Sequence, residues 1–348
     1  MYRTVWNCPE TGHCVRKRRI RFTEKMKDNY GRTIDYLRIS VTDKCNLRCK
    51  YCMPEEGVPC VAHKDVLTLE EITRIAGVMA GMGLKKVRLT GGEPLVRKNI
   101  TELLRQLHAI PGIEHLALTT NGVRLAEMLP ELTEAGLDHV NISIDALDPA
   151  VFKRVTGREH LQEVLDGIAA AYAKGLKVKL NCVPVRELNP DEPLRLAGMA
   201  KERKIDVRFI ELMPIGQGRQ FTGIPTEELL RQMEEVYGKA EALPYDGEGP
   251  AQYYAFAGFA GRIGFISPIS HKFCAECNRL RLTAEGRLKL CLYYKDGIDL
   301  RELLRNGAED NQLQEAIVQA LLQKPKEHAF GLEDRERAEQ RRMNQIGG

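Results

Sequence analysis

Short β-branched runs alternate with amphipathic helical patterns across the first two hundred residues of this chain, and that alternation constrains the fold more than any other feature. Strands are expected at 36–41, 86–90, 115–119, 139–144, 176–183 and 206–211, with helices at 68–82, 97–109, 123–135, 160–174 and 191–203. Strand–helix alternation builds a parallel sheet with right-handed crossovers. Six such units are too few to close an eight-stranded barrel, so the expected fold is α/β: an open, partial (β/α)6 TIM-like barrel. With 43% hydrophobic residues in 348, a core of that size can be buried.

The pattern changes after residue 212. Pro and Gly collect in 214–225 and 244–250, a helix is expected at 226–237, and strand-like runs follow at 252–257, 262–267, 279–283 and 287–292. This predicts a β-rich C-terminal domain. The expected division is an extension over 1–25, a barrel over 26–225, a C-terminal domain over 226–325 and a tail over 326–348 that ends Gly347-Gly348. The tail is expected to be helical from 308 and then charged and irregular.

Charge excludes one class of function. Residues 1–25 carry seven Lys or Arg against two Glu, while the remainder is balanced at 45 basic and 46 acidic. The body is not a polycation, and nucleic-acid binding driven by counterion release is not expected. No run of 18 apolar residues and no secretory signal is present, so a cytoplasmic protein without membrane association is the expectation. Ten cysteines in such a chain read as metal or cluster ligands rather than a disulfide framework.

Two cysteine groups carry the chemistry. Cys45, Cys49 and Cys52 form C-x3-C-x2-C directly after the first strand. Three thiolates on a [4Fe–4S] cube leave one iron open, able to chelate a methionine amino and carboxylate group and deliver an electron to its sulfonium. The alternative is zinc with a remote fourth ligand, although zinc prefers paired knuckles. Cys274, Cys277 and Cys291 form C-x2-C-x13-C, again one ligand short of four. A second cluster with an open iron and a zinc site both remain open for this triad; His271 is the only imidazole near it in sequence.

Strand ends supply the remaining candidates, since β/α barrels work at that rim. They read Thr90-Gly91-Gly92-Glu93-Pro94, Thr119-Thr120-Asn121-Gly122, Ser143-Ile144-Asp145 and Glu211-Leu212-Met213. Side chains alternate along a strand, so Arg38, Arg88, Lys179 and Arg208 can share the inner face, with Arg279 and Arg281 on one face of a later strand. Buried cations need anionic partners, and a polyphosphate meets that need. Taken singly, each of these residues is equally well a salt-bridged surface cation.

The first triad, with Tyr51 before its last cysteine, resembles the radical S-adenosylmethionine superfamily. The runs YLRISVTDKCNLRCKYCMP, VRLTGGEPLVR, LTTNG, NISID, RFIELMPIG and FCAECNRLRLT, with the terminal Gly-Gly, resemble the GTP 3′,8-cyclase family of molybdenum cofactor biosynthesis, from about Met26 onward. The resemblance implies a lyase with two [4Fe–4S] clusters and S-adenosylmethionine. Reductive cleavage of S-adenosylmethionine would give a 5′-deoxyadenosyl radical that takes hydrogen from C3′ of GTP. Bonding of C3′ to C8 would then yield 3′,8-cyclo-7,8-dihydro-GTP.

It further implies roles by position. Cys45, Cys49 and Cys52 would hold the first cluster, and Cys274, Cys277 and Cys291 the second. Tyr51, Gly92, Ser143 and Met213 would contact S-adenosylmethionine. Arg38, Arg88, Thr119, Lys179, Arg208, Arg279 and Arg281 would contact GTP, with Arg38, Arg279 and Arg281 closest to catalysis. An electron donor, and the next pterin-synthesis enzyme as product acceptor, are the implied partners of a monomer or homodimer. The Gly-Gly tail would reach the active site. Residues 1–25 depart from the family pattern, and Met26 is the expected native start. Two other readings remain: a peptide-modifying radical enzyme, whose families carry more C-terminal cysteines, and a zinc-knuckle binding module.

Overall fold

The computed structural model describes residues 26–245, 249–330 and 336–347. The expected extension over 1–25 and Gly348 lie outside the described residues. Six parallel strands form the centre: β1 (Tyr36–Ser40), β2 (Lys86–Thr90), β3 (His115–Thr120), β4 (His139–Ser143), β5 (Lys177–Cys182) and β6 (Asp206–Ile210). Each pairs with the next in sequence order.

The C-terminal strands are β7 (Ala240–Ala242), β8 (Gln252–Phe256), β9 (Ile263–Ile266), β10 (Arg279–Leu282), β11 (Arg287–Lys289) and β12 (Gly297–Asp299). They do not stack as a separate layer. They extend the same sheet at both edges, in the order β12-β11-β10-β1-β2-β3-β4-β5-β6-β9-β8-β7. β9 runs parallel to β6 and β10 parallel to β1, so eight consecutive strands point one way. Only the outermost pairs are antiparallel.

Alternation explains the two faces. Leu37, Ile39, Val87, Leu89, Val140, Ile142, Leu180 and Val207 are buried in the main apolar cluster with the helices. Each such side chain contributes about 1.5–3 kcal/mol by leaving water. Their neighbours Tyr36, Arg38, Arg88, His139, Asn141, Lys179 and Arg208 line an internal cavity instead. A parallel sheet is ordinarily apolar on both faces. This one is polar inside because the barrel encloses a site.

Helix ends follow local chemistry. Thr68 and Glu71 form a reciprocal capping box at the start of Leu69–Gly81. The helix Pro149–Thr156 was not expected, yet Asp148 caps it, proline opens it and Gly157 closes it at φ 68°. The helix expected over 191–203 is broken at Gly198 into Glu192–Ala197 and Met199–Glu202. No helix among the described residues is long and apolar enough to cross a membrane.

One connection sets the geometry of the site. The chain leaves β9 at its C-terminal end and enters β10 at its N-terminal end, and both point the same way. Residues 267–278 therefore descend the height of the barrel, irregular but for one 3-10 turn at Cys274–Glu276. Pro268, Phe273, Cys274, Cys277 and Asn278 on this descent all line the cavity, so the segment closes the side that the strands leave open.

Candidate active site

A cavity of about 470 Å³ occupies the barrel interior. It is lined by Cys45, Cys49 and Cys52, by Cys274, Cys277 and Cys291, and by Tyr51, Gly92, Ser143, Met213, Arg38, Arg88, Thr119, Lys179, Arg208, Arg279 and Arg281. Every residue to which the family resemblance gives a cluster, S-adenosylmethionine or GTP role thus lies on one surface. His271 is exposed and pairs with Glu227 instead, and it is not among the lining residues.

The two triads stand at opposite ends. Cys45 follows the C-terminal end of β1, whereas Cys277 precedes β10, whose first residue Arg279 is level with Tyr36 at the start of β1. A five-residue strand spans roughly 16 Å. The space between them is thus about one strand long.

The sulfur spacing bears on what each triad can hold. Among the described residues, the one group of three Cys, His, Asp or Glu donors within 4.8 Å of one another contains no cysteine. Tetrahedral zinc at about 2.3 Å from each sulfur needs sulfurs about 3.8 Å apart. Wider triads suit three corners of a cubane cluster, each sulfur on its own iron. None of the six cysteines is in a disulfide.

Burial and charge differ between the triads. Burial pushes the Cys45 thiol up to about 11 and Cys52 to about 12, and Cys49 well above the ordinary value. Cys277 goes the other way. Burial acts to raise it, but the Lys324 ammonium and Arg279 beside it bring it down to about 7. Lys324 is itself buried, with Nζ 3.8 Å from Cys277 Sγ and 3.0 Å from the Arg279 carbonyl oxygen. The sequence pattern gave no sign of it, because Lys324 lies 33 positions beyond Cys291, in a loop after the last long helix.

The glycines of Thr90-Gly91-Gly92-Glu93 have a specific role. A Cβ on Gly91 would stand 2.6 Å from the Thr42 carbonyl oxygen, and one on Gly92 2.6 Å from that of Asp43. Gly92 and Glu93 donate to the carbonyls of Thr42 and Lys44 at 2.7 and 2.8 Å. Here the absent side chains let the loop leading to Cys45 pack against the end of β2. Glu93 then turns inward, accepting from Thr120 Oγ1 at 2.6 Å and the Asn121 amide at 2.7 Å. Burial lifts its carboxyl to about 7. Nearby, Tyr51 donates to Asp145 at 2.6 Å, and burial raises Asp145 to about 6.

The cations concentrate between the triads. Arg88 donates to the Tyr36 hydroxyl at 2.5 Å, Arg208 to Asn181 at 2.6 Å, and Lys179 lies 3.8 Å from Asp206. Burial and the neighbouring charge of Arg281 hold Arg38 well below the ordinary guanidinium range, and burial with Arg279 brings Arg281 to about 10. Such crowding of like charge favours an anion in the cavity. Against burial, Arg88 and Arg38 pull the Tyr36 phenol down to about 8. Lys86, also missed by the sequence reading, adds a further cation to the lining.

Polar atoms in the lining await partners. Thr119 Oγ1 and Asn344 Oδ1 are buried with no hydrogen-bond partner among the described residues. Buried polar atoms are ordinarily satisfied, so both suit a bound ligand. Asn344 belongs to the C-terminal tail, which crosses the rim near the first triad and donates to the Asp43 carbonyl at 3.1 Å.

Comparison with known proteins places this geometry. The radical SAM superfamily profile matches residues 39–200, and the Molybdenum Cofactor Synthesis C profile matches residues 205–330. GTP 3′,8-cyclase of Clostridium perfringens (strain 13 / Type A) is 46% identical over 328 residues, covering 93% of this chain and 100% of the relative. The enzyme of Moorella thermoacetica is 47% identical with the same coverage. The chain belongs to the GTP 3′,8-cyclase family. Its fold is also that of Streptococcus suis SuiB, solved with S-adenosylmethionine, at a TM-score of 0.58 and 15% identity over 85% of this chain and 73% of SuiB. That likeness carries the fold alone; the GTP 3′,8-cyclase relatives carry the family.

As a GTP 3′,8-cyclase family member the chain is a radical S-adenosylmethionine enzyme that uses [4Fe–4S] chemistry, and six cysteines line its cavity. The zinc-knuckle and peptide-modifying alternatives both fail on family membership.

Proposed function

We propose that the chain converts GTP to 3′,8-cyclo-7,8-dihydro-GTP within the cavity between its two cysteine triads. The observation that carries this reading is that six cysteines and seven cations line one cavity, with the triads at opposite ends. Cys45, Cys49 and Cys52 would hold one [4Fe–4S] cluster, and Cys274, Cys277 and Cys291 the other. When bound, the first cluster with S-adenosylmethionine supplies a 5′-deoxyadenosyl radical able to take hydrogen from ribose C3′.

The chain's own residues bind and orient. Tyr51, Gly92, Ser143 and Met213 surround the first triad's side of the cavity and contact S-adenosylmethionine in this reading. Arg38, Arg88, Thr119, Lys179, Arg208, Arg279 and Arg281 receive GTP, the guanidinium forks matching phosphate oxygens. Fixing both molecules in one enclosed space substitutes positioning for chance encounter. Thiols held at about 11 and 12 must lose protons to bind iron, so cluster assembly at the first triad releases protons. The barrel over 26–225, the cluster-bearing domain over 226–325 and the tail over 326–348 act together, since β9 and β10 complete the barrel wall. An electron donor and an enzyme that accepts the cyclised product are the partners this reading requires.

Anaerobic incubation with GTP, S-adenosylmethionine and dithionite tests it. GTP-dependent formation of 5′-deoxyadenosine and the cyclised nucleotide is expected, and its loss in Cys45→Ala. ATP serving as well as GTP would overturn the reading.

A further inference from the structure

The one group of closely spaced metal-type donors among the described residues contains no cysteine of either triad. It comprises His115, Asp138 and His139, at the N-terminal ends of β3 and β4. Their donor atoms all lie within 4.8 Å of one another. His139 Nδ1 is 2.8 Å from Asp138 Oδ1, and His115 Nδ1 is 3.8 Å from Asp138 Oδ2. The two imidazoles meet edge to face, with ring centres 5.9 Å apart and planes at 88°.

The 2.8 Å approach is the informative one. His139 Nδ1 and Asp138 Oδ1 are both buried, yet neither has a hydrogen-bond partner among the described residues. They are close without being aligned as donor and acceptor. Two buried polar atoms left unsatisfied each destabilise the fold. A third atom bonded to both removes that cost. Ligand atoms about 2.0–2.2 Å from a shared metal lie roughly 3–3.5 Å from each other. Small side-chain adjustments bring the three donors to that spacing.

We propose that His115, Asp138 and His139 form a binding site for a divalent transition-metal ion at the N-terminal rim of the barrel. Two imidazoles and one carboxylate suit Zn²⁺, Mn²⁺, Co²⁺ or Fe²⁺ and disfavour Mg²⁺, which takes oxygen ligands. Three protein ligands leave coordination positions for other groups. His115 and His139 line the cavity, so a water or an anionic oxygen of a molecule held there can take them. The strand register sets His115 beside Lys86 and His139 beside Lys177. These ammonium groups oppose a free cation, so an anion joining the site strengthens binding.

Manganese titration of the full chain with both clusters assembled tests the site. Mn²⁺ is chosen because it takes thiolate ligands poorly and leaves the cysteine triads alone. The oxidised clusters are diamagnetic, so the six-line EPR signal of free Mn²⁺ can be followed directly. One saturable site per chain is expected in the wild type. Asp138→Asn and His115→Gln are each expected to weaken it at least tenfold, with iron content and circular dichroism unchanged. Should Asp138→Asn fold poorly, His115→Gln carries the comparison, since that side chain is 49% exposed. Absence of saturable binding in the wild type, or equal binding in wild type and His115→Gln, overturns the proposal. The measurement uses no nucleotide, so its outcome is independent of the cyclase reading.

Discussion

Arg281 donates to the carbonyl oxygen of Gly347 at 2.5 Å, so a guanidinium of the cavity wall is held by the last described residue of the chain. The same glycine sits at φ 79°, and a Cβ there would stand 3.0 Å from both Ser40 Cβ and Thr90 Oγ1, at the ends of β1 and β2. The tail is packed into the rim.

Gly347→Ala is therefore expected to unseat the tail and release Arg281. A misplacement of about 1 Å at a reacting centre can cost as much as roughly 100-fold in rate. Cyclised-nucleotide formation should fall at least tenfold, while iron content stays at the wild-type level. Wild-type turnover in this variant would show that the tail does not position the wall.

The triads should fail differently. Cys45→Ala should lower iron from about eight to about four per chain and abolish 5′-deoxyadenosine formation. Cys291→Ala should lose a similar amount of iron but still cleave S-adenosylmethionine, without giving the cyclised product. Equal behaviour of the two variants in product analysis would contradict the division of labour.

Gly92→Ala places a methyl group within 2.6 Å of the Asp43 carbonyl oxygen and against that of Lys44. Backbone cannot yield as a flexible side chain does. The loop leading to Cys45 should be displaced and the first cluster lost selectively. Iron near four per chain with an intact second-cluster signal is the expected spectrum.

Lys289 and Glu339 form an ion pair in which both side chains are almost fully buried. Against burial, Arg341 and Lys289 bring the Glu339 carboxyl down to about 2. An unfolded glutamate titrates near 4.3. A carboxyl depressed on folding contributes stability above its unfolded value and loses it as pH falls through the folded one. The contribution should thus fade between about pH 5 and pH 2. Glu339→Gln leaves the Lys289 ammonium buried without its counter-charge and should cost about 3–5 kcal/mol at neutral pH by urea denaturation. The difference between wild type and variant should shrink steadily below pH 5. A difference independent of pH would remove the ion pair as its cause.

Much of the site was legible because chemistry and periodicity coincide there. Cysteine spacing identified both triads, and strand alternation put Arg38, Arg88, Lys179 and Arg208 on one face; all line the cavity. What escaped depends on contacts distant in sequence. Lys324 reaches Cys277 across 47 positions, and nothing local to either residue signals it. His115 and His139 begin strands, where an imidazole reads as an ordinary polar edge until Asp138 is placed between them. The sequence predicts a β-rich C-terminal domain but not that its strands join both edges of the barrel sheet, because β-periodicity tells how a strand presents its faces, not which edge it joins. The helix Pro149–Thr156 did carry its signal, in Asp148-Pro149 and Gly157, but eight residues gave too short a pattern to stand out.

The pairing of β1 with β10 also ties together parts of the chain that are remote in sequence. Asn278, just before β10, donates to Asp35 across 243 positions of chain, and Tyr36 pairs with Arg279 beside it. Contacts this remote form slowly, since a long loop must close before they repay its entropy. Cys277 immediately precedes β10 and Cys45 follows β1, so the seam joining these two strands sets how far apart the triads stand.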